Sequence, residues 1–251
     1  MDLKPHRSRY WLTSREEDPD KESKIQEVCQ LYKQAPTLCE QGERVVSTDE
    51  MTGVQALERC HPDLPMRPGK VQCREFEYIR HGTLCFIVNF DVVSGQIVAP
   101  TCGEHRTEQD FLEHLRNTVA TDPGATRWHF VMDNLNIHLS ESLVRYVAEF
   151  SDIHDDLGEK DKRGILHNKA SRAAFLSDPT HKIVFHYTPR HCSWLNQIEM
   201  WFSILVRKVL RQGSFASPTV LKEKVWAFIA YFNQTMAKPV QWTYRGKPLT
   251  M

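Results

Sequence analysis

The chain has 251 residues, 41% hydrophobic and 25% charged, which is ordinary globular usage and excludes a disordered, collagen-like or coiled-coil chain. Lysine plus arginine and aspartate plus glutamate both number 32, so the net charge is zero. The balance is uneven: residues 41–180 carry 15 basic against 22 acidic side chains, and residues 181–251 carry 10 against 2. A basic segment of this kind can follow a phosphate backbone, and it equally describes a solvated surface helix. No apolar run approaches the ~18 residues of a membrane span, and the polar start MDLKPHRSRY is not a signal peptide. Seven cysteines, an odd number without a C-x-x-C pair, predict reduced thiols in a cytosolic protein.

In chain order, Ile25, Val28, Cys29, Leu31 and Tyr32 recur at helical spacing and predict a helix over 20–35 that Pro36 ends. RVVSTDE predicts a strand ending at Asp49. Residues 61–75, with three prolines and a glycine, read as loop. LCFIVNFDVV, a turn at Ser94-Gly95, and QIVAP predict a β-hairpin. A capping box beginning at Thr107 opens an amphipathic helix. RWHFVMD reads as a buried strand ending at Asp133, ESLVRYVAEF as a helix, and KIVFHY as a further strand. Residues 194–211 and 218–236 read as helices, the second with Ser217-Pro218 at its start. Residues 151–181 interrupt the rhythm as an insertion with a short helix near Ala173–Leu176. Interleaved strands and helices predict an α/β fold, a mixed sheet covered on both faces.

Asp49 and Asp133 stand at the carboxyl ends of predicted strands, the edge where open α/β sheets bind ligands. Glu50 competes with Asp49, because successive strand residues face opposite ways; Asp49 is the assignment, with Glu50 behind it. Stepped around a helix from Trp194, the residues Leu195, Ile198, Trp201, Phe202, Leu205, Val206 and Val209 share an arc of about 140°, and Glu199 lies roughly 20° beyond its edge. A carboxylate there is partly desolvated and needs a partner. Three converging acids repel one another, and a hard divalent cation with oxygen ligands resolves the conflict. Two such ions suit phosphoryl transfer. No G-x-S-x-G, P-loop or G-x-G-x-x-G is present. His181, His186 and His191, five apart on a strand-to-loop segment, do not converge as a zinc site.

STDE, HFVMDNLNIH and HYTPRHCSWLNQIEMWF resemble the three catalytic blocks of a DDE transposase, in particular the bacterial insertion-sequence family called IS-six-thirty, within the mariner superfamily. PHRSRYWL, AFLSDPTHKIVFHYTPRH, SWLNQIEMWFSILVRKVL and MAKPVQWTYRGKPL carry the same resemblance, which covers nearly the whole chain. It implies an RNase H-like five-stranded mixed sheet with helices on both faces. The first acid lies on the first strand, the second on the fourth and the third on the helix after the fifth. The implied organisation is a helical linker region 1–40, a catalytic domain 41–215 with the insertion 151–181, and a C-terminal helix and basic tail 216–251.

The resemblance implies Mg²⁺ (or Mn²⁺), two ions, held by Asp49, Asp133 and Glu199 for cutting element ends and joining them to target DNA. Asn134 and His138 are then candidates to orient a phosphate or water, and His138 reads equally well as a core or capping residue. Asn196 shares a face with Glu199. Arg190, Arg207, Lys208 and Arg211 are candidates for phosphate contacts, and Trp194 and Trp201 are core candidates. The expected partners are transposon-end and target DNA, a second copy in a homodimer, and a separate helix-turn-helix chain, because PHRSRYWL resembles the linker that follows such a domain. The expected location is cytoplasmic and nucleoid-associated, with no membrane. A relic that binds DNA or co-assembles with an intact transposase is the alternative, as is a nuclease that cuts without joining.

Overall fold

The computed structural model describes residues 20–244; PHRSRYWL and the last part of the tail lie outside them. Helix α1 (Lys21–Glu40) precedes strand β1 (Glu43–Arg59), β2 (Tyr78–Asp91), β3 (Ile97–Gly103), helix α2 (Glu108–Val119) and β4 (Arg127–Met132). A 3₁₀ turn (Asn136–Leu139) leads to α3 (Glu141–Phe150), α4 (Lys169–Leu176) and β5 (Ile183–Tyr187). A second 3₁₀ turn (Ser193–Leu195) precedes α5 (Ile198–Leu205), a π-helical turn (Val206–Leu210) and α6 (Pro218–Thr235).

The strands form one sheet in the order β3-β2-β1-β4-β5. The β1–β2 and β2–β3 pairs are antiparallel, and β1–β4 and β4–β5 are parallel. This is the expected mixed sheet. Strand parity divides it into two faces. Val46, Ile87, Phe130, Met132 and Phe185 pack with Phe111, Leu115, Leu143 and Leu176 on one side, so α2, α3 and α4 cover that face. Val45 and Val131 pack with Val28, Tyr32 and Leu195, and Val88 and Phe90 pack with Ile198, Trp201, Val225 and Phe232. Helices α1, α5 and α6 therefore cover the other.

Several local expectations are corrected. Pro36 lies inside α1, which continues to Glu40. A proline removes one helical hydrogen bond, but Tyr32 and Ala35 are buried and the Tyr32 hydroxyl donates to the Leu195 carbonyl at 2.8 Å, so packing outweighs the break. Strand β1 continues ten residues past Asp49 because β2 pairs with it as far as Arg59↔Tyr78, and it absorbs two register irregularities on the way. The capping box expected at Thr107 is formed, with Asp110 as its second member. At the predicted hairpin turn, Gly95 has φ +73°, and the backbone of Lys238 lies where a Cβ would stand. The C-terminal segment therefore crosses the turn, and only glycine fits there.

The helix expected over 194–211 is split at Asn196, whose backbone is extended (φ −80°, ψ 105°). Trp194 thereby leaves the apolar arc. It is 47% exposed and packs edge-on to Tyr244 at 5.0 Å, whereas Trp201 is fully buried as expected. The chain beyond Leu205 widens into a π turn, closed by Arg211 N–H to the Val206 carbonyl at 2.8 Å.

Candidate active site

Parallel pairing of Ser47 with Val131 aligns β1 and β4. Continued by two residues, that register sets Asp49 level with Asp133 on strands ~4.8 Å apart. Asp49 lies opposite Val88 and on the parity of Val45, the face that α1 and α5 cover, whereas Asp133 stands just past the end of β4 and its carboxylate reaches His138. Glu50 has the opposite parity, so the two adjacent acids serve different sides of the sheet, as the alternation predicts.

Asn196 joins the first acid to the segment carrying the third. Its side chain is 1% exposed. Its Oδ1 accepts from the Ser47 hydroxyl, and its Nδ2 donates to the Thr48 carbonyl at 2.9 Å and to Asp49 Oδ2 at 3.2 Å. Ser47 Oγ in turn accepts the Ile198 N–H at 3.0 Å, and the Asn196 carbonyl accepts the Glu199 N–H at 3.1 Å. The break in the predicted helix is therefore the bolt that ties the start of α5 to β1.

Asp49 is partly buried, and its carboxyl pKa is pushed up to about 7. Burial is the main cause, and the charges of Glu50, Asp133 and Glu199 add to it against the Glu50 N–H that the carboxylate accepts at 2.8 Å. Glu199, in the first turn of α5 and on the surface, is also raised by desolvation. Asp133 behaves oppositely. Burial raises it, but its hydrogen bond and charge contact with His138 dominate and leave it below the ordinary aspartate value.

His138 is fully buried between two carboxylates. Nδ1 lies 2.9 Å from Asp133 Oδ1, and Nε2 lies 2.8 Å from Glu50 Oε1. Burial opposes its charge, but the two acids win and raise its pKa to about 9, so it is an imidazolium at neutral pH. Glu50 is 1% exposed at its side chain. Its Oε2 has no hydrogen-bond partner among the described residues, and the Arg106 guanidinium stands 3.7 Å away.

Other predicted residues are placed as follows. Asn134 Nδ2 donates to the Thr188 carbonyl at 2.9 Å, stitching the ends of β4 and β5. Arg190 lies exposed in the turn after β5. Arg207, Lys208 and Arg211 are exposed on the π turn and just beyond it, away from the acids at the far end of α5. Sequence reasoning missed Arg106, which lies in a loop without periodicity. It also missed the buried chain from Thr48 Oγ1 to Asn89 Oδ1 (2.7 Å) and from Asn89 Nδ2 to Thr118 Oγ1 (2.8 Å). The polar pair Ser47-Thr48 within a valine-rich strand was the available signal, since buried hydroxyls need partners.

Among the described residues, no group of three or more His, Cys, Asp or Glu side chains stands close enough together to hold a metal ion. The donors at this edge nevertheless fit a hard divalent ion that keeps most of its waters. They are carboxylate oxygens, Asp133 is half exposed, and Asp49 is repelled by three neighbouring acids.

A family model described as DDE superfamily endonuclease matches residues 44–222. Among solved structures, the Mos1 mariner paired-end complex with Mn aligns with a TM-score of 0.55 at 12% identity, over 96% of this chain and 62% of that one. A Mos1 transposase paired-end complex with the left transposon end aligns at 0.53 and 12%, over 96% and 61%. A pre-cleavage Mos1 transpososome aligns at 0.53 and 12%, over 96% and 62%. The chain thus spans about three fifths of the length of these structures, and at this identity the likeness shows the shared RNase H-like fold. No curated protein matches the sequence.

Proposed function

This chain belongs to the DDE superfamily endonucleases, and on that premise we propose that it is the catalytic domain of a DNA transposase. In this reading it cuts the ends of an insertion sequence of the bacterial IS-six-thirty type and joins them to target DNA. The observation that carries the reading is Asp49, a partly buried carboxyl raised to about 7 by burial, with the charges of Glu50, Asp133 and Glu199 adding to it. Asp133 has the His138 imidazolium beside it and Glu199 is at the surface, so it is Asp49, partly buried among like charges, that a divalent cation would relieve.

Asp49, Asp133 and Glu199 are the proposed holders of Mg²⁺ or Mn²⁺, two ions in the working complex. Bound there, the metal supplies Lewis-acid activation of an attacking oxygen and stabilisation of the leaving one. The protein's own groups prepare the site. Asn196 fixes the Asp49 carboxylate against β1 and sets the start of the helix that carries Glu199. His138 keeps Asp133 ionised and fixes its rotamer, while its other nitrogen balances Glu50. Arg106 adds positive charge beside the pair. Arg207, Lys208 and Arg211, with Arg190, are proposed to follow the DNA backbone, so affinity falls as salt rises. The division into segments 1–40, 41–215 and 216–251, a homodimer, a separate helix-turn-helix partner and action in the cytoplasm at the nucleoid belong to the same proposal. Among the described residues no helix is long and apolar enough to cross a membrane.

The test is strand transfer of a pre-cleaved 3′-hydroxyl oligonucleotide in Mg²⁺ or Mn²⁺. Activity is expected for the wild type, and Asp133→Asn is expected to lose on the order of 10³-fold, about 4 kcal/mol. Near-normal rates in that variant overturn the site assignment. Cutting without joining identifies a simple nuclease, and inactivity on every DNA supports a relic.

A further inference from the structure

Beyond Asp49 the β1–β2 pair continues as an arm, with the end of α5 and its π turn lying along it. Ile198 N–H is tied to Ser47 Oγ at one end, and Phe215 N–H donates to the Leu57 carbonyl at 2.7 Å at the other. Between the arm and the π turn lies a cavity of about 230 Å³, lined among others by Leu57, Arg59, Phe76, Tyr78, Arg211 and Phe215. Phe215 forms a buried wall (3% exposed), whereas Phe76 and Tyr78 stand 81% and 44% exposed at the rim. Arg59 is held by the Glu75 and Arg211 carbonyls through its two terminal nitrogens. Its Nε is buried with no hydrogen-bond partner among the described residues.

The lining selects its ligand class. Exposed aromatic faces next to guanidinium groups suit a flat π system, since bases stack on aromatics and cations lie over rings. The volume falls below the ~300–1,000 Å³ of sites that enclose whole drug-sized ligands, so one ring system fits. The surroundings suit a polyanion rather than an apolar protein surface. From Met200 to Lys222 the sequence holds no acidic residue, and Arg80 lies over the Tyr78 ring at 5.4 Å. The nearby Glu75 carboxylate is turned onto the Phe76 and Glu77 amides (2.9 and 3.0 Å).

We infer that this cavity receives a single unstacked nucleobase of bound DNA. Ten residues of bulged strand separate Asp49 from Arg59, about 30 Å at ~3.3 Å per residue. The contact therefore falls roughly nine base pairs, close to one duplex turn, from the carboxylates at 3.4 Å per pair. The inference rests on the proposed action on DNA and adds a grip remote from the chemistry.

The test compares 30-bp duplexes, fully paired or with one unpaired 2-aminopurine nine pairs from a 3′ end, by anisotropy and 2-aminopurine fluorescence without divalent ion. The wild type is expected to bind the unpaired form about tenfold tighter, with the fluorescence quenched, as one stacked base implies. The double variant Phe76→Ala/Tyr78→Ala alters only rim residues. It is expected to lose that preference while keeping paired-duplex affinity within about twofold. No preference in the wild type, or a preference that survives in the double variant, overturns the inference. So does unchanged DNA binding with loss of self-association, which assigns the rim to a second copy. If the paired duplex is bound and, with Mg²⁺, cut while the unpaired base brings no gain, only the cavity assignment falls. If no DNA binds at all, the proposed function falls with it.

Discussion

Replacing Asn196 with alanine removes the side chain that links Ser47, Thr48 and Asp49 to the start of α5. Ser47, Thr48 and Asn196 are all at most 1% exposed, so water does not replace the lost partners freely. Two buried polar groups, the Thr48 carbonyl and the Ser47 hydroxyl, lose a hydrogen bond at about 1–3 kcal/mol each, giving an expected loss near 3 kcal/mol. With a urea slope of roughly 2–3 kcal/mol/M for a chain of this size, the unfolding midpoint falls by about 1 M. Asp49 also loses a donor to its ionised form, so its pKa, already raised to about 7, climbs further, as ¹³C titration of the carboxyl would show. Asn196→Asp keeps the shape but turns donors into a carboxylate facing the Thr48 carbonyl and Asp49, and it is expected to be at least as destabilised. A midpoint shift below about 0.2 M for the alanine variant, with the Asp49 titration unmoved, refutes the bolt between β1 and α5.

His138→Gln leaves buried Glu50 with Arg106, 3.7 Å from its other oxygen, as its remaining cationic neighbour, and breaking a buried ion pair costs up to about 3–5 kcal/mol; a thermal midpoint close to wild type contradicts the charge balance described. His114, fully buried and 2.9 Å from Thr101 Oγ1, has its pKa lowered to about 3 by burial, with His138's charge adding to it. Because the folded pKa lies below the unfolded value, the stability is present above pH ~6.5 and is lost as pH falls toward 3, at up to about 1.4 kcal/mol per unit. Urea midpoints from pH 6.5 to 5 are expected to drop more for the wild type than for His114→Gln. Mn²⁺ in excess is expected to raise the melting temperature of the wild type by mass action and to leave Asp49→Asn unmoved; equal shifts in both place the ion elsewhere.

The order of strands and helices was legible from the chain, because β-branched runs, helical spacing and caps at Thr107 and Ser217 are local signals. So was the placing of Asp49 and Asp133 just past buried strand runs; parity showed that Asp49 and Glu50 point opposite ways, but not that His138 would link Glu50 to Asp133. What the local pattern could not supply was any effect whose cause lies far along the chain. Pro36 stays helical because Tyr32 reaches Leu195, and β1 runs on because β2 pairs with it. The helix predicted from Trp194 breaks at Asn196 because Ser47 and Thr48, some 150 residues earlier, claim its side chain. His138 becomes an imidazolium only because the fold brings Glu50 to its other nitrogen. Patterning and propensity act over a few residues and write themselves into the sequence, whereas hydrogen bonds and desolvation between distant segments exist only once the sheet has assembled.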